Sequence, residues 1–308
     1  MNILYQIYFL LPNFSFLGKA GKGINYIMAK CLKLFFDFYM PKYLQNSAAN
    51  SGMGITTNNS EEQYIVSLTS FPARINDVWI CIETISRQSY KPNMIILWLA
   101  EEQFPEKKLP ENLLKLQERG LIIKYCDDLK SHKKYYYTLK EYPNANIITL
   151  DDDCYYPENV LENLIKLHKE SVNCICANRA HRITYTNNGE IKPYRKWLHN
   201  YKKTLNPSHI LVPTGVGGVL YPPNSLDPRI LNKEIFKNIC FQADDLWLKG
   251  HAYMNDSMVI TSKKFNKDLI AISKTQNEKL LSNNSFGGGN DEQLKNILEY
   301  YNIKIKES

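Results

Sequence analysis

The stretch Asn146-Ile147-Ile148-Thr149-Leu150-Asp151-Asp152-Asp153-Cys154-Tyr155-Tyr156-Pro157 decides the fold. Ile147 to Leu150 is a short apolar run with β-branched members, as expected of a buried strand. It passes without a break into three carboxylates. Side chains two apart in extended chain point the same way, so Asp151 and Asp153 are placed to share one cation. Oxygen donors of this kind favour Mg²⁺ or Mn²⁺, which keep waters and bind substrate phosphates as well. A solvated loop or an acidic helix cap is the plainer alternative for such a run. Its position after a buried strand favours the metal.

Working outward, the same grammar repeats on the N-terminal side. Tyr64 to Leu68 reads as a strand, followed by the turn-rich Thr69-Ser70-Phe71-Pro72 and by Arg74, a candidate for a nucleotide. Val78, Cys81, Ile82 and Ile85 follow helical spacing, and Met94 to Leu99 is a second buried strand. A helix with Leu113, Leu114 and Leu116 leads to a third strand from Leu121 to Tyr125. Lys133 to Tyr142 is helical in character, and a helix opening near Pro157 carries Val160, Leu161, Leu164 and Ile165. Strands alternating with amphipathic helices predict an α/β fold, a mostly parallel sheet flanked by helices. In such sheets ligands sit outside the carboxyl ends of the strands, which is where the aspartates fall. Lys130, Lys133 and Lys134, after the third strand, are positioned to neutralise a diphosphate at a helix start, or to form a solvated face.

Composition narrows the class. The 308 residues are 44% hydrophobic and 22% charged, which excludes wholesale disorder. The net charge of +7 suits a phosphate-bearing substrate or an anionic membrane surface, and no dense Lys/Arg block calls for nucleic acid. Seven cysteines without a CxxC pair predict a reducing compartment, with Cys174 and Cys176 as small core residues on one strand face. Residues 1–45 form an amphipathic arm, rich in aromatics and flanked by Lys19, Lys22 and Lys42. It has two readings, a membrane-interface helix and a helix packed on the main domain. The apolar run Ile3 to Leu11 precedes the first basic residue, unlike a signal peptide, and is too short to span a bilayer. Residues 46–63 read as a linker, and the domain starts at Tyr64.

TSFPARI (69–75), ISRQSYKPNMIILWL (85–99) and HKKYYYTLKEYPNANIITLDDDCYYP (132–157) together resemble the nucleotide-sugar-binding half of GT-A fold glycosyltransferases. The resemblance is to glycosyltransferase-2-like enzymes of bacterial capsule and O-antigen clusters, and it runs from about Tyr64 to Asn302. It divides the domain into a nucleotide-sugar half, 64–153, and an acceptor half, 154–308. It implies a divalent ion, Mn²⁺ or Mg²⁺, held by Asp151 and Asp153 against the diphosphate of a sugar nucleotide, most commonly a UDP-sugar. It further implies that Asp152 contacts the ribose or donor sugar, and that Thr69, Ser70, Arg74 and Asp127 or Asp128 touch the nucleotide, beside Lys133 and Lys134. The glycine-rich Thr214-Gly215-Val216-Gly217-Gly218 would lie beneath the donor sugar, with Gly217 and Gly218 bordering the acceptor. Asp245 maps to the general base and Asp244 to a residue holding an acceptor hydroxyl, and displacement would invert the anomeric centre. Trp247 is either a sugar-stacking ring or a core residue.

The activity so implied is transfer of a monosaccharide to a saccharide or lipid-linked saccharide during surface-polysaccharide synthesis. The expected location is the cytoplasm, with a peripheral position on the inner membrane face if the arm binds lipid. Two rivals differ in class. A nucleotidyltransferase of similar fold would carry a glycine-rich basic loop where this chain has TSFPAR, and a non-catalytic carbohydrate-binding protein would use its acids structurally. A phosphatase fits less well, because Cys154-Tyr155-Tyr156 offers no supporting hydroxyl or lysine pattern.

Overall fold

The apolar runs condense into strands because most of their side chains need cover on both faces. A computed structural model describes residues 2–58, 62–203, 206–265, 267–276 and 289–306. Its strands are β1 (Tyr64–Thr69), β2 (Met94–Ala100), β3 (Leu121–Cys126), β4 (Asn146–Thr149), β5 (Ile175–Ala177), β6 (Ala180–Arg182), β7 (Leu211–Pro213), β8 (Val219–Tyr221) and β9 (Val259–Thr261). Seven of them form one sheet in the order β3-β2-β1-β4-β8-β5-β9, and β6 pairs with β7 in a separate antiparallel ribbon. Within the sheet only β8 runs against its neighbours, β4 and β5. The mostly parallel α/β architecture with a helical N-terminal arm is the one the sequence predicts.

The helices are α1 (Asn2–Leu10), α2 (Gly18–Asn46), α3 (Val78–Ser86), α4 (Glu111–Leu114), α5 (Lys133–Glu141), α6 (Val160–Glu170), α7 (Lys233–Ile239), α8 (Asp244–Met254) and α9 (Gly289–Tyr300). The period-2 alternation of β1 sorts its residues between two cores. Val66 and Leu68 join the apolar faces of α2, α3 and α6, whereas Ile65 joins Ile96, Trp98 and Ile147 on the other side. On that other side α5 is fixed polarly as well as by packing. Ser67 Oγ donates to the Lys134 carbonyl at 2.5 Å, and Trp98 Nε1 donates to Thr138 Oγ1 at 2.8 Å.

Strand order positions the site. After β1 the chain builds outward through β2 and β3, then returns to the opposite side of β1 as β4. The carboxyl ends of β1 and β4 therefore flank a topological switch point. Ser67 lies in register with Thr149, and Leu150 N donates to Ser67 O at 3.1 Å, so the loops after the two strands leave side by side.

Three local expectations shift. The helix expected from Pro157 starts at Val160, with Pro157 in the preceding turn and its carbonyl accepting from Val160 N at 3.2 Å. The helix before the third strand is a single turn, Glu111–Leu114. The 46–63 segment is laid on the domain through Gly54 N to Arg119 O and Thr56 N to Pro92 O, both at 2.9 Å; its residues 59–61 fall outside the described ones. Cys174 and Cys176 are buried in one core, as predicted.

The arm is anchored by an inner stripe. Phe36, Met40 and Leu44, four apart, are wholly buried, and Tyr5 packs edge-on against Phe36 with ring centroids 5.4 Å apart. Buried Glu83 pairs with Arg87 and Arg119 at 2.6 Å each, and Arg87 also donates to Leu44 O at 2.9 Å, tying α2 to α3. Phe36→Ala is expected to lower unfolding free energy by about 3–5 kcal/mol through the cavity it leaves. Phe38→Ala, on the outer face, should change it by less than ~0.5 kcal/mol. Urea titration of both variants checks the difference.

Candidate active site at the carboxyl edge of the sheet

The three aspartates do different things. Asp152 turns inward, with one carboxylate oxygen accepting from Ser70 Oγ at 2.6 Å and the other from Arg74 Nη1 at 2.5 Å. Burial nevertheless raises its pKa to about 6, against the pull of Arg74. Asp151 and Asp153 meet different partners, Lys134 and Arg74, and keep 26% and 19% of their side-chain surface exposed. Arg74 reaches Asp153 at 3.3 Å as well. The backbone at Asp151 is clamped by buried Tyr156, whose hydroxyl accepts from Asp151 N at 2.9 Å and donates to Asp151 O at 3.1 Å.

Across the crevice stands the start of α8. Lys134, buried on α5, places its Nζ 2.8 Å from Asp151 and 3.0 Å from Asp244. Burial works against the charge on Lys134, but Asp151, Asp244 and Asp245 outweigh it and raise its pKa. Asp244 is likewise buried, yet Lys134 and His132 hold its pKa below the usual value. Asp245 differs from its neighbour. Burial, then the adjacent Asp244 charge, push it up to about 8, and it accepts from Gly215 N at 3.4 Å.

Gly215 joins the two halves. A Cβ built on it would lie 2.5 Å from Asp151 Oδ1 and 3.0 Å from Lys134 Nζ, so a side chain has no room there. The sequence marks this glycine-rich turn without telling which glycine meets the acids. Gly217 instead backs onto Arg179, and Gly218, at φ +84°, closes over Leu150. Two further residues carry no sequence signal. Tyr221 buries its phenol among Asp245, Asp244 and Lys134 without a hydrogen-bond partner for its oxygen, and Tyr194 feels the Asp245 charge.

Other predicted residues are placed differently from the expectation. Lys133 is buried and donates to Asp128 at 2.6 Å; Asp128 also accepts from Lys130 N and from Gln103. The lysines at 133 and 134 are thus internal ion-pair partners and not an exposed phosphate cluster. Exposed Asp127 lies 3.4 Å from Lys233, and Thr69 Oγ1 donates to Trp98 O at 2.8 Å. Trp247 is wholly buried, donates Nε1 to Ile230 O at 3.1 Å and packs on Phe236 and His251. Its sugar-stacking reading is corrected to core packing, because both ring faces are enclosed.

Among the described residues no group of three or more His, Cys, Asp or Glu side chains is arranged to hold a metal ion alone. Asp151 and Asp153 fit a different kind of site, in which an ion takes one or two carboxylates and completes its shell with water and substrate phosphates. The local charge agrees with that fit. Asp151, Asp152, Asp153, Asp244 and Asp245 face two cations, Arg74 and Lys134, and an added cation would offset the surplus.

No protein-family model matches the sequence, and no curated protein matches it. Among solved structures the chain is similar to S. aureus TarS 1-349, at TM-score 0.43 and 13% identity over 67% of this chain and 59% of that one. It is similar to the mannosyltransferase PcManGT from Pyrobaculum calidifontis in complex with GDP-Man and Mn²⁺, at TM-score 0.40 and 9% identity over 77% and 65%. It is also similar to a 4-diphosphocytidyl-2C-methyl-D-erythritol synthase, at TM-score 0.40 and 10% identity over 68% and 93%. The chain spans less than two thirds of the first two proteins' own lengths. A shared architecture fixes no chemistry.

Removing the central cation by Lys134→Met leaves Asp151 and Asp244 without their partner and should cost about 3–5 kcal/mol in a chemical melt. A pH signature accompanies Asp245. A carboxyl whose folded pKa is raised stabilises the fold most below its ordinary 3.8, and that contribution declines as pH rises and is gone above about 8. The melting temperature of Asp245→Asn, relative to the unaltered protein, should therefore climb across that interval and level off beyond it.

Proposed function

We propose that this chain is a glycosyltransferase of GT-A type, moving a monosaccharide from a nucleotide-diphosphate sugar to a saccharide hydroxyl. The observation that carries this reading is the convergence on Gly215. Its backbone N–H meets Asp245, and its α-carbon leaves no room for a side chain against Asp151 and Lys134. The carboxylates of Asp151 and Asp245 thereby stand on the two sides of one turn, which supports reading the first as part of a metal edge and the second as the base. The resemblance of the 132–157 block to nucleotide-sugar transferases supports the same assignment.

Asp151 and Asp153 would hold a Mn²⁺ or Mg²⁺ ion, which when bound offsets charge developing on the leaving diphosphate. Arg74, aimed by Asp152 and Ser70, supplies a fixed guanidinium on the nucleotide side of the crevice. Asp245 takes the acceptor hydroxyl proton as that oxygen bonds to the anomeric carbon and the carbon–oxygen bond to the diphosphate breaks. The attack from the opposite face inverts the centre. A carboxyl titrating at about 8 is strong enough a base for this task near neutral pH, and one proton must leave it before each turnover. Asp244 and Lys134 hold Asp245 in place by fixing the first turn of α8 against β4. The donor is assigned as a UDP-sugar and the acceptor as a saccharide or lipid-linked saccharide of a surface polysaccharide, with the reaction on the cytoplasmic side of the membrane.

Asp151→Ala and Asp153→Ala are expected to abolish Mn²⁺-dependent donor binding in isothermal titration with nucleotide sugars. Asp245→Asn should retain that binding and lose transfer by roughly 10²–10⁴-fold. Turnover in Asp245→Asn equal to that of the unaltered protein would remove it as the base, and donor binding indifferent to Asp151 and Asp153 would remove the metal-sharing edge.

A further inference from the structure

Helix α2 carries two apolar stripes, and the fold uses one. The inner stripe, Phe36, Met40 and Leu44, is buried in the core. Ile27, Cys31, Leu34 and Phe38 recur at i, i+4, i+7 and i+11, and at 100° per residue this second stripe lies on the opposite face. Ile27, Leu34 and Phe38 are 61%, 58% and 69% exposed, and Phe16, in the turn before α2, is 78% exposed. An apolar run of this length on a water-facing surface marks a contact site.

Charge identifies the occupant. Residues 1–60 contain five lysines, at 19, 22, 30, 33 and 42, and one acid, Asp37. That acid is turned inward, accepting from Tyr155 Oη at 3.1 Å and Ser273 N at 3.0 Å. Lys42 lies over the Phe38 ring at 4.4 Å, its stem along the apolar stripe and its ammonium at the edge. Lys30 and Lys42 border the outer stripe, whereas Lys22 and Lys33 fall on the inner stripe's side. A second copy seated on the stripe would bring the bordering lysines together, whereas an anionic lipid surface neutralises them. No helix among the described residues is long and apolar enough to cross a membrane, so the geometry is that of a helix lying in the interface.

We infer that the outer face of the arm docks the protein on anionic lipid. Helix α1, ahead of this stripe, is fastened beside Asp268. Tyr8 Oη donates to Asp268 O at 2.9 Å, and Lys267 Nζ donates to Tyr8 O and Leu11 O at 2.8 and 2.9 Å. Asp268 in turn pairs with Arg179 at 2.7 Å, beside a small hollow that Gly217 and Phe265 also line. The docking itself does not depend on the proposed reaction.

The full chain is floated with vesicles of phosphatidylcholine alone and of phosphatidylcholine mixed with phosphatidylglycerol. It should float with the mixed vesicles only and be released by high salt. Leu34→Glu/Phe38→Glu and Lys30→Glu/Lys42→Glu should each weaken partitioning tenfold or more with an unchanged melting curve, at roughly fivefold per lysine near the surface. Flotation of these folded variants equal to that of the unaltered protein overturns the inference, as does absence of the folded unaltered protein from the mixed vesicles. A concentration-dependent dimer in sedimentation equilibrium that Leu34→Glu/Phe38→Glu dissociates also overturns it, by assigning the stripe to a second copy. Donor titration is unaffected by any of these outcomes.

Discussion

A single buried ammonium decides how the two halves of this molecule meet. Lys134 joins Asp151, at the end of β4, to Asp244, at the start of α8, with contacts of 2.8 and 3.0 Å. Taking charges out of water is costly, and a buried pair repays that cost only with good geometry on every partner. The geometry here is set from beneath. Ser67, inside β1, holds the Lys134 carbonyl, and Thr138, one turn later, is held by Trp98 of β2. The lysine is therefore aimed by the two central strands before it meets either aspartate. Loss of the ammonium would leave like charges facing one another across the crevice.

The antiparallel strand β8 has a consequence of the same kind. Because it runs against β4, the turn that feeds it, Thr214 to Gly218, arrives at the carboxyl end of the sheet and not at the opposite end. A parallel strand in that place would carry the glycine turn away from the aspartates. The reversal puts the Gly215 amide against Asp245 and leaves the Gly215 α-carbon facing Asp151. Two carboxylates from distant parts of the chain are separated by one residue that must lack a side chain. The adjacent acids of α8 differ in turn, since Lys134 holds Asp244 low while burial and the Asp244 charge push Asp245 up. Lys134 draws both values down, and the two acids part because burial and the Asp244 charge outweigh it at Asp245.

Much of this was legible in the residues because the underlying signals are local. A β-branched run ending in aspartates fixes a strand and its carboxyl end, whereas the sharing of Arg74 by Asp152 and Asp153 comes from the loop after β1 and not from i, i+2 spacing. The pairing of Lys133 with Asp128, and of Lys134 with Asp151 and Asp244, was not legible. Neighbouring lysines on a helix point along different directions, and only the tertiary packing of α5 on β1 shows that both are enclosed. Trp247 was ambiguous for a similar reason, since a tryptophan beside an acidic pair reads alike whether its ring meets a sugar or Phe236. Tyr221 and Tyr194 gave no signal, because their proximity to Asp245 comes from strand β8 and from a long loop whose backbone is tied to Asp291 of α9.

The distribution of charge separates two demands that the composition merges. A net charge of +7 suggests a protein whose active site attracts phosphate. The candidate site does the reverse, with five carboxylates gathered around Arg74 and Lys134. The positive surplus lies elsewhere. Residues 1–60, with five lysines and one aspartate, carry +4 of it. That part of the chain is fastened to the domain by Phe36, Met40 and Leu44 along α2, so its field is fixed in direction relative to the acidic edge. The positive arm and the acidic crevice are therefore two separate fields on one molecule, which the composition alone averages into a single number.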